Sequence, residues 1–238
     1  MKIAPALLFV ITVHHLDHSV QAKRLQIGGI DTGIFLYPYM AAIEFAQKLV
    51  GNGAIIAQRY ILTSASAVAE PHDSLYKVQL GADVFKGPGD LYEDCNIALL
   101  HLKEPIRYSD SVQPAIIADT FVNNLQVLLV SYGTNEEGTM HLREAIYTAS
   151  TDAECVDSLT KGLSKEIIIQ EHGFCVRSPP GAEQGQWADD AGAPIVADGK
   201  LYGVFAFSEQ EGKTNVGSIG TRVSAFLEWI YETMEEHD

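Results

Sequence analysis

The sequence is short of basic residues. Its 238 residues include 16 lysines and arginines against 31 aspartates and glutamates, which gives a formal net charge of −15. An excess of this sign and size excludes nucleic acid and an anionic membrane surface as partners, and it favours a basic protein surface. Histidine is also scarce after residue 22, and the remaining histidines have no metal-ligand spacing, so we expect no metal or other cofactor. They are His72, His101, His141, His172 and His237.

Long apolar runs are absent beyond the N-terminus. Lys2 precedes an apolar stretch at 3–13 that is too short to span a bilayer, and small residues follow at 20–22. This pattern is typical of a secretory signal, with cleavage expected after Ala22. We therefore expect a secreted, extracellular product.

Cysteine is rare and odd in number, since the chain has only Cys95, Cys155 and Cys175. An oxidising compartment favours one disulfide and leaves one thiol over. The residues alone leave all three pairings open.

Short strand-like runs dominate the rest of the chain. They lie at 77–85, 96–102, 125–133, 166–170 and 193–207. The last contains Asp198-Gly199, a hairpin-turn signal. The tail at 223–236 differs, because its apolar residues recur at helical spacing. The pattern predicts an all-β barrel or sandwich with one terminal helix.

Six stretches, in the right order, resemble motifs of trypsin-like serine proteases. They are QIGGIDTGIFLYPYMAAIE (26–44), ILTSASAV (61–68), NIALLHL (96–102), VLLVSYG (127–133), DDAGAPIV (189–196) and IGTRVSAFLEWI (219–230). Within that family the chain is most similar to mite group 3 allergen-type trypsins, and among these to the scabies-mite inactivated protease paralogues.

The resemblance implies two six-stranded antiparallel β-barrels, with the active site between them, and a C-terminal α-helix. The implied boundaries are a signal peptide at 1–22, a propeptide remnant at 23–26, a first barrel at 27–119 and a second barrel with the helix at 120–238. Ser66 and Asn96 are closer in sequence than the matching residues of the family, so the first barrel is expected to be trimmed.

The resemblance also places the catalytic triad, and each position holds an unsuitable residue. The general base falls at Ser66, whose hydroxyl cannot accept a proton near neutral pH. The orienting carboxylate falls at Asn96, an uncharged amide. The nucleophile falls at Ala191, which has no lone pair. The sequence therefore predicts a serine protease homologue that is not an enzyme.

Substrate recognition is expected to be lost as well. The oxyanion-hole glycine of the family falls at Asp189, where a carboxylate opposes developing negative charge. The acidic floor of the S1 specificity pocket falls at Gly185. Two wall glycines of that pocket fall at Ser208 and Ser218, whose side chains are predicted to narrow or plug it.

The resemblance assigns the cysteines too. Cys155 and Cys175 match a disulfide of the family, and Cys95 is left as an unpaired thiol. Two other family disulfides are lost as pairs, one at Gly51 and Ala67 and one at Trp187 and Glu211.

Asp190 matches the residue that, in active relatives, binds the ammonium of a newly cleaved N-terminus. Cleavage after Arg24 would leave a start at Leu25, one residue longer than in the family. The ammonium would then be out of register.

Without catalysis, the predicted function is protein binding. Similarity to the inactivated paralogues implies a host partner, such as a complement or other serum protein, and interference with host defence. An acidic surface is compatible with basic patches on such a protein, and the sequence predicts it at Glu136, Glu137, Glu209, Glu211, Glu235 and Glu236. Two alternatives stay open at this point: a decoy for protease substrates or inhibitors, and a hydrolase with relocated catalytic residues.

Overall fold

The computed structural model describes residues 28–69, 75–81, 83–85, 90–94, 96–134, 140–182, 184–186, 190–210 and 217–237. The strands in these ranges are β1 Ile30–Asp31, β2 Met40–Phe45, β3 Lys48–Ala57, β4 Tyr60–Thr63, β5 Tyr76–Leu80, β6 Asp83–Phe85, β7 Asp90–Asp94, β8 Ile97–His101, β9 Ile116–Ile117, β10 Leu125–Thr134, β11 Met140–Ser150, β12 Gly173–Arg177, β13 Pro194–Ala197, β14 Lys200–Ser208 and β15 Ser218–Arg222. The α-helices are α1 Ala153–Ser158, α2 Gly162–Ile169 and α3 Leu227–His237. The predicted all-β fold class with a C-terminal helix is confirmed.

The first sheet has the strand order β6-β5-β2-β3-β4-β8-β7. Its central strands are apolar, and β4 is buried along its whole length. β5 alternates between buried and half-buried residues, as a strand with one face on a core does. The short interval between Ser66 and Asn96 holds β5, β6 and β7, with 5, 3 and 5 residues. The shortening is thus taken up by short strands toward the ends of the sheet.

The second sheet has the order β1-β11-β10-β13-β14-β15-β12, and β12 also pairs with β11. This extra pairing closes a ring of six antiparallel strands. Its interior is filled by large apolar side chains, including Leu129, Tyr147, Phe174 and Phe205. The Asp198-Gly199 turn joins β13 to β14 with φ of 49° and 73°. Both residues are thus left-handed, as a two-residue hairpin requires, and the predicted turn is confirmed.

The sequence pattern predicts a strand at 166–170, and this prediction is wrong. The stretch lies in and just after α2. Ser164 and Ile168 are buried while Ile169 is exposed, and a spacing of four residues marks one face of a helix. Ile168 packs in one cluster with Cys155 and Cys175. Packing on that cluster overrides the strand preference of three successive isoleucines.

The two sheets meet across a shared apolar cluster. It contains Met40, Leu62 and Leu99 from the first sheet, Val130 and Val204 from the second, and Phe226 and Ile230 from the C-terminal segment. The helical spacing predicted for the tail is confirmed by α3, whose Ile230 is fully buried. In the described part of the chain, no helix is long and apolar enough to cross a membrane.

Candidate active-site cleft

The turn that follows β4 carries Ser66. It is a 3-10 turn at Ala65–Ala67, and Asn96 holds it from the side. Asn96 Oδ1 accepts hydrogen bonds from the Ser66 N–H and the Ser64 hydroxyl, both at 3.0 Å. Asn96 has φ of 63°, a left-handed conformation that asparagine tolerates better than most residues. The structure therefore brings Ser66 and Asn96 together. Ser66 lies in the turn, and the Asn96 side chain holds that turn in place by hydrogen bonds.

The Ser66 side chain is exposed and bonded only to other neutral groups. Its Oγ lies 2.6 Å from Ser64 Oγ and 3.5 Å from the carbonyl oxygen of Ala206. Two hydroxyls and an amide can exchange hydrogen bonds. None of them can take a proton from a nucleophile near neutral pH.

Ala191 lies against the same turn. Its side chain is 5% exposed, and its carbonyl oxygen accepts the Asn52 N–H at 2.8 Å. Gly192 follows with φ of 76°, and a Cβ there would collide with Asn52 O and Thr63 Oγ1. The Ala191 loop is thus packed directly on β3 and β4. The three predicted triad positions therefore lie close together, and a buried methyl group stands at the predicted nucleophile position.

One pair of lost cysteine positions also lies at this point. A Cβ built on Gly51 would lie 2.5 Å from Ala67 Cβ and 2.7 Å from Ala191 O. The two positions are therefore adjacent, as a disulfide pair must be. This agrees with the residue assignment around Ser66. Trp187 and Glu211, the other lost pair, lie outside the described residues.

The predicted S1 slot contains a hydrogen bond between two buried side chains. Ser218 is fully buried, and its hydroxyl donates to Gln186 Oε1 at 2.7 Å. Gln186 is 2% exposed. It directly follows Gly185, the predicted floor, which is buried. Sequence reasoning missed Gln186. The only signal was a long amide side chain beside the floor position.

The other predicted S1 residue, Ser208, pairs with Ser218 across β14 and β15. Its hydroxyl donates to the carbonyl oxygen of Gln210 at 3.1 Å. Of the two predicted wall positions, Ser218 is therefore the one in a buried side-chain hydrogen bond, with Gln186. Asp189 lies outside the described residues, and its predicted effect on the oxyanion site stays a prediction.

Cys155 and Cys175 are joined by a disulfide, with Cα atoms 5.8 Å apart. Both residues are fully buried. The bond ties α1 to β12. Cys95 lies outside the described residues, so its unpaired thiol stays a prediction.

Glu209 was expected on the acidic surface, and this expectation is wrong. Its side chain is 8% exposed. Its carboxylate accepts the N–H and hydroxyl of Thr160 at 2.7 Å and the N–H of Lys161 at 2.9 Å. Burial raises the pKa of Glu209, but these hydrogen bonds outweigh it and lower the pKa to about 2. Glu209 therefore anchors the α1–α2 connection to the end of β14. Glu235 and Glu236, by contrast, are exposed on α3.

No metal centre is evident in the part of the chain that the structure describes. Within it, no group of three or more histidine, cysteine, aspartate or glutamate side chains could hold an ion.

A seven-stranded sheet, where a six-stranded barrel was predicted, a second sheet closed into a six-stranded barrel, a loop packed on the turn after β4 and a C-terminal helix define a serine protease-type fold. The chain matches the trypsin family over residues 26–230. It belongs to the trypsin family.

Relatives and solved structures agree with this assignment. The chain is 23% identical over 257 residues to the vitellin-degrading protease of Bombyx mori, covering 96% of this chain and 94% of that protein. It is 23% identical over 229 residues to a trypsin of Phaedon cochleariae, covering 88% of each. It superposes on scabies mite inactivated protease paralogue S-D1 with a TM-score of 0.75 at 19% identity, covering 88% and 97% of the two chains. For scabies mite inactivated protease paralogue S-I1 the TM-score is 0.73 at 21% identity, covering 88% of this chain and 99% of that chain. For human heparin binding protein the TM-score is 0.73 at 20% identity, covering 89% of this chain and 98% of that chain. At these identities the likenesses to solved structures show the fold alone.

Proposed function

We propose that this chain is a secreted, catalytically inactive trypsin homologue that acts by binding a protein and interferes with a host defence cascade such as complement. The observation that carries the proposal is the occupancy of the cleft. Ser66, Asn96 and Ala191 stand together where the triad is expected, and they provide no base, no carboxylate and no nucleophile.

The predicted S1 slot supports the same conclusion independently. A protease holds the scissile bond at attack distance by seating a substrate side chain in this slot. At the predicted position of this slot, Gln186 and Ser218 form a buried hydrogen bond with each other, which supports a slot that is closed to substrate. The same contact disfavours a decoy that captures protease inhibitors through S1.

Similarity and charge support the choice of partner. Two structural neighbours are scabies mite proteins whose names describe them as inactivated proteases, which favours a host partner by analogy. Human heparin binding protein shares the fold. However, a net charge of −15 opposes binding to a polyanion such as heparin and favours a basic protein surface.

The chain beginning at Lys23 is expected to hydrolyse chromogenic trypsin, chymotrypsin and elastase substrates no faster than buffer, because all three reacting groups are missing. A fluorophosphonate probe is expected to leave it unlabelled, with bovine trypsin as the positive control. Substrate turnover that survives repurification and is blocked by a serine-directed reagent would contradict the proposal. It would favour the alternative of a hydrolase with relocated catalytic residues.

Immobilised chain is expected to retain a basic protein from host plasma and to reduce complement-dependent lysis of sensitised red cells. Because exposed charges are screened beyond roughly 8 Å at physiological ionic strength, affinity should fall more than about tenfold between low salt and half-molar salt. Glu235→Lys with Glu236→Lys on α3 tests one exposed acidic face. Glu104→Lys with Asp110→Lys is the control with an equal charge change elsewhere. An affinity that does not depend on salt would indicate an apolar interface instead. Complement-dependent lysis that is unchanged by the chain would contradict complement as the target.

A further inference from the structure

Asn52 is a fully buried polar residue at the centre of β3. All its hydrogen-bonding groups are used. Its N–H donates to Ala191 O at 2.8 Å, and its carbonyl oxygen accepts the Thr63 hydroxyl at 2.6 Å. Its side-chain Oδ1 accepts the Tyr132 N–H at 2.8 Å, and its Nδ2 donates to Ser131 Oγ at 3.1 Å. Asn52 therefore links the first sheet to β10 of the second sheet and to the Ala191 loop.

The direction of these hydrogen bonds is fixed by chemistry. The Tyr132 N–H can only donate, so the Asn52 side chain must present Oδ1 to it and Nδ2 to Ser131. Ser131 Oγ then accepts from Asn52 and keeps one proton to donate, and two acceptors lie within reach of it: Tyr132 O at 3.0 Å and, closer, Asp190 Oδ1. The Asp190 Oδ1 atom lies 2.6 Å from Ser131 Oγ, a distance typical of a hydrogen bond to a carboxylate.

Asp190 is fully buried, so an ionised carboxylate there requires hydrogen-bond donors or a counter-charge. The resemblance to active proteases assigns that task to a new N-terminal ammonium, which cleavage after Arg24 would misplace. Within the described residues, Ser131 supplies one such hydrogen bond, and Ser131 is itself held by Asn52. The Gly192 N–H adds a further anchor by donating to Phe205 O at 2.7 Å.

We propose that Asn52 fixes the Ala191 loop through Ala191 O and through Ser131 to Asp190, so that these contacts, rather than a new N-terminal ammonium, hold the loop in place. Asn52 and Ser131 act as positioning residues. The inference concerns how the cleft is held and goes beyond the proposed binding function. Its failure would leave the binding and activity tests above unchanged.

Amide hydrogen exchange of residues 190–195, read by mass spectrometry, tests the proposal. Two forms are compared, one beginning at Lys23 and one at Leu25. Exchange in this segment is expected to differ less than about twofold between them, because the new ammonium adds nothing to the anchoring. In the Lys23 form, Asn52→Ala is expected to accelerate exchange of the segment by more than about 30-fold, in line with the loss of more than one buried hydrogen bond.

Asn123→Ala is the matched control, because Asn123 Oδ1 accepts the Thr151 N–H at 2.7 Å far from the loop; it should leave exchange at 190–195 unchanged. If Asn52→Ala does not fold, Ser131→Ala replaces it. This variant removes the link to Asp190 and keeps the backbone contacts of Asn52, and about tenfold faster exchange is expected. The proposal is overturned if exchange slows more than tenfold in the Leu25 form, or if the variant that folds leaves the segment as protected as the parent.

Discussion

Rebuilding the triad alone, with Ser66→His, Asn96→Asp and Ala191→Ser, is expected to leave the chain at least about 10³-fold less active on peptide esters than ordinary trypsins. Loss of one oxyanion donor typically costs 10²–10³ in kcat, and a misplaced scissile bond costs a further factor of about 10². The defect therefore extends beyond the three reacting groups.

The structure shows that one of the three substitutions fits its surroundings, whereas the triple variant leaves the predicted S1 residues unchanged. Asn96→Asp is compatible with the turn, because Oδ1 already accepts two hydrogen bonds that a carboxylate would also accept. At the predicted S1 slot, however, the triple variant keeps the buried hydrogen bond between Gln186 and Ser218. A substrate side chain cannot enter without displacing this buried pair.

Two further variants, built on the triple variant, show which residues cause the remaining loss of activity. One adds Gln186→Ser and Ser218→Gly to clear the slot. The second also adds Asp189→Gly and Ser208→Gly. Activity on peptide esters should rise stepwise, with tryptophan fluorescence and circular dichroism confirming that each variant is folded. Trypsin-like rates in the triple variant alone would contradict our description of the cleft and confine the defect to the triad.

Glu209→Gln is expected to lower the free energy of unfolding by about 2–3 kcal/mol at pH 7 and by little near pH 2. The pKa of Glu209 lies at about 2 in the folded protein, below its ordinary value of 4.5. A lowered folded pKa means that the stabilisation is complete above the unfolded pKa and is lost as pH falls through the folded pKa. The sensitive window is therefore pH 4.5 down to about 2.

Urea unfolding at pH 7, 4 and 2.5 measures this difference. Glu235→Gln on the exposed face of α3 is the control, and it should change stability by no more than about 0.5 kcal/mol. A constant difference between Glu209→Gln and the parent across all three pH values would show that the lost contacts are not those of the ionised carboxylate.

Motif order was enough to predict the trypsin-like fold and to bring Ser66 beside Asn96, because each lies next to a strand whose apolar pattern is unambiguous. It was not enough for Glu209, since an acidic loop residue ordinarily faces water. Its N–H donors, Thr160 and Lys161, lie 49 and 48 positions away.

The helix α2 shows a similar limit. Three successive isoleucines favour a strand locally, and only packing against the Cys155–Cys175 disulfide makes them helical. Gln186 was missed for a related reason: its role depends on which way the side chain points, and that is set by Ser218 on a distant strand.

The two ends of the described chain lie on opposite halves of the molecule. β1, near the N-terminus, pairs with β11 of the second sheet, and Arg143 bonds to both Gly29 and Asp31. At the other end, the Tyr60 hydroxyl of the first sheet donates to Met234 O on α3 at 3.2 Å. The N-terminal strand β1 thus packs on the second sheet, and the C-terminal helix α3 contacts the first. A chain divided near residue 119 would separate each terminal segment from the sheet that it contacts, so we expect the two sheets to unfold in one cooperative transition.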